Sequence, residues 1–167
     1  MTQVSERLAG DDPATESDAP QILATSFEEL GVAPDLVAVL ASQGITAPFP
    51  VQALTIPDGI AGRDVCGKAK TGSGKTLAFG IPLLMRVGRG DAKDPRALVL
   101  VPTRELAVQV AEVLEPLGVA SGPRVAVVYG GADIERQMKK LNRGVDVVIA
   151  TPGRLIDLVE RKAVSVA

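Results

Sequence analysis

The residues best suited to chemistry lie in one run, Ala69-Lys70-Thr71-Gly72-Ser73-Gly74-Lys75-Thr76. Gly72 and Gly74 let the backbone curl so that successive N–H groups point at an anion. A helix starting near Gly74 would add the positive end of its dipole. Lys75 would reach the β- and γ-phosphates as a point charge, and the Thr76 hydroxyl would ligate Mg²⁺. The strict phosphate-loop pattern asks for Gly where this chain has Ala69. The alternative is a Gly-rich turn that holds no ligand. Nucleoside triphosphate binding is the base expectation, with Lys75 and Thr76 as the residues acting on the reacting phosphate.

Three other short runs combine small residues, hydroxyls and cations: Pro102-Thr103-Arg104-Glu105-Leu106, Gly130-Gly131, and Thr151-Pro152-Gly153-Arg154. Two of them pair a hydroxyl with a free helix N-terminus and an arginine, a set that can hold phosphates without reading bases. Taken singly, each also reads as a helix cap beside a surface arginine.

These runs need elements to position them. Residues 64–68 read as a short buried strand before the loop, and 77–87 as an apolar helix after it. Upstream, 34–43 reads as a helix opened by Pro34 and stopped by Gly44. A second short helix begins at Pro48-Phe49-Pro50-Val51-Gln52 and runs toward Ala61. On spacing alone Gln52 reads as a solvated residue of its first turn. Residues 88–95 read as a polar linker. Residues 96–101 form a continuous apolar run of the buried parallel kind. A helix to about Leu117 follows, with Thr103 as N-cap and Leu106, Val110, Val113, Leu114 and Leu117 as core stripe. Strands at 124–129 and 145–149 flank a helix at 134–142, whose Arg136, Lys139, Lys140 and neighbouring Arg143 read as a solvated face. A last helix reaches about Lys162. The β-α-β-α alternation predicts a parallel, doubly wound sheet with ligands at the carboxyl ends of its strands. All four runs would then share one edge.

Composition narrows the classes. The chain has 167 residues, net charge −2 and only 2% aromatic residues, which disfavours nucleic-acid binding mainly by aromatic stacking. Five acids against Arg7 in residues 1–20 leave the remainder at about +2. Cys66 is the only cysteine, so no internal disulfide can form, and it reads as a small core residue. There is no His, so any metal is expected to arrive with the nucleotide. No apolar run of about 18 residues predicts a membrane span, and the polar N-terminus does not read as a signal peptide. A cytoplasmic protein is expected.

Taken together the runs resemble the first RecA-like domain of a DEAD-box RNA helicase. Phe27, Gly44 and residues 48–52 resemble the Q motif. Residues 69–76 resemble motif I, where this family has Ala in place of the first Gly, and Lys70 stands for the commoner Gln. Residues 102–106 resemble motif Ia, Gly130-Gly131 the GG motif, and 151–154 motif Ib. The resemblance implies an α/β P-loop NTPase fold with helices on both faces of a RecA-like parallel sheet, incomplete at its C-terminus. It divides the chain into an acidic disordered tail (1–25), a Q-motif region (26–54) and a partial helicase ATP-binding domain (55–167). It implies that Phe27 stacks on adenine, that Gln52 hydrogen-bonds the adenine edge, and that Ala69, Lys70, Thr71, Gly72, Ser73, Gly74, Lys75 and Thr76 hold ATP with Mg²⁺. It implies that Pro102, Thr103, Arg104, Gly130, Gly131, Thr151, Pro152, Gly153 and Arg154 lie along an RNA backbone, with Glu105 as a buttress.

The family's Asp-Glu-Ala-Asp and Ser-Ala-Thr motifs are absent, and no Asp-Glu pair occurs anywhere. Those acids would coordinate Mg²⁺ and position water. The chain alone is therefore expected neither to hydrolyse ATP usefully nor to unwind RNA, and Ala167 is expected to be a truncation point. Two other readings stay open at this level. One is a non-catalytic RNA- or partner-binding module. The other is a different P-loop enzyme, such as a DNA helicase or a small-molecule kinase, against which Phe27 with Gln52 and the 102–106 and 151–154 runs speak.

Overall fold

Three parallel strands in the order β1-β3-β2 carry the molecule in the computed structural model, which describes residues 26–87 and 95–166. In chain order the elements are α1 (Pro34–Ser42), α2 (Pro50–Ile60), α3 (Lys75–Val87), β1 (Ala97–Leu100), α4 (Arg104–Ser121), β2 (Val125–Val128), α5 (Ile134–Asn142), β3 (Val147–Ala150) and α6 (Pro152–Glu160). The expected tail at 1–25, most of the expected linker and residue 167 lie outside the described residues.

β3 is central. It pairs with β1 from Ala97↔Val147 to Leu100↔Ala150 and with β2 from Val125↔Val147 to Val128↔Ala150. All four of its residues are buried, as the two-sided cover of a parallel strand requires. Its alternating side chains feed two cores. Val147 and Ile149 join the core that includes Leu36, Ile81 and Leu114 of α1, α3 and α4. Val148 and Ala150 join Leu141 of α5 and Leu155 and Leu158 of α6. Helices thus cover both faces, the α/β arrangement expected.

Asp146, fully buried just before β3, ties the starts of both outer strands. Its carbonyl accepts from Arg96 N and Ala97 N at 2.8 and 3.1 Å. Its Oδ2 accepts from Arg124 N at 2.7 Å and Arg124 Nε at 3.3 Å.

Three expectations are corrected. Residues 64–68 are not a buried strand. They pair with no strand among the described residues, and Val65 and Cys66 are exposed. The run holds only two apolar side chains, and without a ladder partner its backbone groups keep their hydration. β1 is not fully buried: its outer edge has no strand beside it among the described residues, and Leu100 is 56% exposed. In α4, Leu106 is exposed and Ala107 and Ala111 join Val110, Leu114 and Leu117 in the core. Counting back from Val110, position 107 falls on the buried face and 106 at its margin.

Candidate functional site

The loop before α3 has the curl its glycines predict. Gly72 and Gly74 sit at φ +82° and +81°, the left-handed region that glycine enters without penalty. α3 begins at Lys75, so the amides of its first turn have no partner within the helix. The Lys75 ammonium folds back over the loop, donating to Ala69 O and Lys70 O, both at 2.7 Å. Ser73 N donates to Lys70 O at 3.3 Å. Ser73 Oγ is buried and has no hydrogen-bond partner. An orphaned hydroxyl, free first-turn amides and a lysine held only by carbonyls form a donor set suited to a polyphosphate. Thr76, half-buried in that first turn, carries the hydroxyl suited to a divalent cation.

α2 braces this loop. It lies so close to α3 that a Cβ on Gly59 would meet Pro82 Cβ at 2.7 Å. Gln52 reaches across: its Oε1 accepts from Phe49 N at 2.8 Å, and its Nε2 donates to Gly74 O at 3.0 Å. Gln52 is 1% exposed, so the solvated reading fails. The side chain fastens the loop, and one Nε2 hydrogen remains beyond these two bonds.

Phe27 is corrected too. It is 1% exposed and lies in the core with Leu36 and Leu40, so its ring offers no face to a base. The turn that follows, with Leu30 N and Val32 N both donating to Phe27 O at 3.2 and 3.1 Å, fixes the backbone from which the ring enters the core. In a chain this poor in aromatics, burying the ring removes more apolar surface from water than an exposed stack would.

The three remaining runs follow the carboxyl ends of β1, β2 and β3, and because the strands are parallel they share one edge. Pro102, Thr103, Gly130, Gly131, Pro152 and Gly153 are exposed there. Thr103 caps α4, its Oγ1 accepting from Leu106 N at 3.2 Å. Thr151 makes no side-chain cap; its N–H donates to Val128 O at 3.1 Å. The two arginines behave differently. The Arg104 guanidinium lies 4.9 Å from the centroid of the Tyr129 ring and makes no hydrogen bond or ion pair among the described residues. Arg154, with an 11% exposed side chain, aims both terminal nitrogens at Ala132 O at 3.1 Å and sits 4.0 Å from Asp157 Oδ2. Arg104 is therefore an available cation, and Arg154 is a strut under the turn containing Gly130 and Gly131.

Sequence reasoning missed Tyr129, Gln137 and Asp146. Gln137 carried a signal: it shares a helical stripe with Ile134, Met138 and Leu141, amid the charges of α5.

A phosphate loop braced by a preceding helix, on a parallel α/β sheet with basic and glycine-rich turns along one edge, defines a P-loop nucleotide-binding domain of the RecA-like kind. The DEAD/DEAH box helicase family model matches residues 49–166, and the chain belongs to that family. It is 48% identical over 154 residues to the ATP-dependent RNA helicase RhlB of Xanthomonas axonopodis pv. citri, covering 89% of this chain and 27% of that protein. It is 47% identical over 137 residues to the DEAD-box ATP-dependent RNA helicase CshA of Streptococcus pneumoniae, covering 82% of this chain and 26% of that protein. The chain thus spans about a quarter of the length of these curated relatives. Among solved structures it resembles a DEAD box protein from the hyperthermophile Methanococcus jannaschii, with TM-score 0.77 and 34% identity over 84% of this chain and 38% of that one. A hypothetical ATP-dependent RNA helicase from Sulfolobus tokodaii gives TM-score 0.69 and 38% identity, over 78% of this chain and 37% of that one.

Proposed function

We propose that this chain is the ATP- and RNA-backbone-binding part of an ATP-dependent RNA helicase that separates RNA strands locally. The observation that carries the reading is the loop itself: left-handed Gly72 and Gly74, Lys75 held by two carbonyls, and Gln52 locking Gly74 from behind.

On nucleotide binding the Lys75 ammonium would exchange Ala69 O and Lys70 O for phosphate oxygens, which bind a cation more strongly than neutral carbonyls do. The first-turn amides of α3 and Ser73 Oγ would complete the cradle. Thr76 would hold Mg²⁺, which when bound neutralises charge building on the phosphates. Gln52 would act chiefly by holding Gly74, with its one remaining N–H directed to adenine. Pro102, Thr103, Arg104, Gly130, Gly131, Thr151, Pro152 and Gly153 would line the RNA backbone, read by charge and shape rather than by base. Arg154 would serve the same edge from behind.

With no Asp-Glu pair in its sequence, the chain by itself is expected to bind ATP and RNA without turnover. This makes the non-catalytic binding module the second reading, for the chain alone. No helix among the described residues is long and apolar enough to cross a membrane. The cytoplasm, where RNA and ATP are both present, is the proposed compartment.

Titration with ATP and GTP, followed by calorimetry, tests the nucleotide reading. Lys75→Ala should weaken ATP binding at least tenfold, and unchanged affinity would remove the P-loop assignment. Anisotropy with a labelled single-stranded RNA tests the edge, and RNA-stimulated hydrolysis by the purified chain would overturn the expectation of no turnover.

A further inference from the structure

We propose that Gln137 is the positioning residue that aims Arg104 at the RNA backbone, acting through Tyr129; the inference rests on the RNA-edge reading above. Gln137 is buried on a helix whose neighbouring positions Arg136, Lys139 and Lys140 are exposed. A buried primary amide is costly unless both its ends are hydrogen-bonded. Here both ends go to one residue. Oε1 accepts from Tyr129 N at 3.3 Å and Nε2 donates to Tyr129 O at 3.1 Å.

The position of Tyr129 explains the need. The β2–β3 ladder ends at Val128↔Ala150, so Tyr129 is the first residue of its strand run without a strand partner. The Gln137 amide supplies one more rung, extending the ordered backbone to the brink of Gly130. From there the Tyr129 ring stands under the Arg104 guanidinium. The ring holds Arg104 without engaging its N–H donors, which meet no acceptor among the described residues, and Nη1 lies beside Gly131, 3.6 Å from where a Cβ there would stand. A planar cation laid on an aromatic face keeps its N–H fork free in the ring plane's direction for an anion. Without the rung, Tyr129 would join the glycine turn, and Arg104 would lose its platform and sweep many rotamers.

The test is a set of variants in the intact protein. Binding of a labelled single-stranded uridylate oligomer is measured by anisotropy, with Mg²⁺ and a non-hydrolysable ATP analogue present. Gln137→Met keeps the length and removes both hydrogen bonds, and should weaken RNA binding about 5- to 10-fold. Tyr129→Leu keeps the backbone rung and removes the platform, and should give a similar loss. The decisive readout is coupling: in an Arg104→Gln background neither variant should cost further affinity. Full multiplication of the losses, or no loss from Gln137→Met, would overturn the proposal. ATP affinity is read in parallel, and an equal fall there would overturn it by marking general damage to the fold. If Arg104→Gln itself leaves RNA affinity unchanged, the RNA-edge reading fails and the proposal falls with it. If Arg104→Gln weakens binding while Gln137→Met does not, only the proposal falls.

Discussion

Replacing Gly74 by alanine tests how the loop is held, because two separate penalties meet at that residue. The first is conformational: at φ +81° an L-residue with a Cβ incurs about 1–2 kcal/mol. The second is steric: the new Cβ would stand 2.3 Å from Gln52 Nε2 and 2.9 Å from Phe49 Cδ2. Gln52 would have to withdraw, giving up its bonds to Gly74 O and Phe49 N, each worth about 0.5–1.5 kcal/mol net. The sum is about 2–5 kcal/mol. Gly72 provides the control. Its φ is +82°, but nothing lies within 4 Å of its would-be Cβ, so Gly72→Ala carries only the first penalty. Urea denaturation and ATP titration of the two variants should therefore differ, with Gly74→Ala the worse by at least about 1 kcal/mol. In a Gln52→Ala background that difference should shrink, since the obstructing amide is gone, but not vanish, since Phe49 Cδ2 still stands 2.9 Å from the new Cβ. Equal effects of the two alanines, or a difference that does not shrink without Gln52, would refute the brace.

Three further outcomes are expected. Gly80→Ala should lower the thermal midpoint, because its Cβ would fall 2.2 Å from Leu114 Cδ2 in the α3–α4 packing; overpacking of about 1–3 kcal/mol outweighs the 0.5–1 kcal/mol or so gained in helix propensity, and a raised midpoint would contradict the packing. Asp146→Ala should destabilise by at least about 2 kcal/mol in denaturant unfolding, since it strips two donors of Arg124 of a buried acceptor; an unchanged midpoint would remove the Asp146 side chain as the tie to the start of β2, while the carbonyl that holds β1 is kept in either case. Arg104→Gln should flatten the logarithmic salt dependence of single-stranded RNA binding by about 0.7, the share of one phosphate contact, whereas Arg154→Gln should weaken binding with the slope unchanged; the opposite pattern would exchange their roles.

Much of this protein can be read from residue order alone. The glycines of the loop announce a backbone that only they can adopt, and the structure finds them left-handed. Thr103 before an apolar helix is a cap whether or not the fold is known, and it caps α4. The αβ alternation carries the parallel sheet, because a strand followed by a helix returns to its sheet in one way. The family is legible for the same reason: its motifs sit at chain turns whose local chemistry is self-contained.

What the sequence did not contain was who stands next to whom. Residues 64–68 have the local pattern of a strand, but a strand exists only with a neighbour to bond, and among the described residues none lies beside it. Phe27 and Gln52 have side chains suited to a base, and the packing of α1 and α2 turns one into the core and the other onto Gly74. Arg104 and Arg154 occupy equivalent places after their strands and look alike in the chain. Only the tertiary arrangement separates them, setting a carbonyl within reach of one guanidinium and an aromatic ring beneath the other. Burial and hydrogen-bond partners are relations between distant segments, and they are decided when the segments pack.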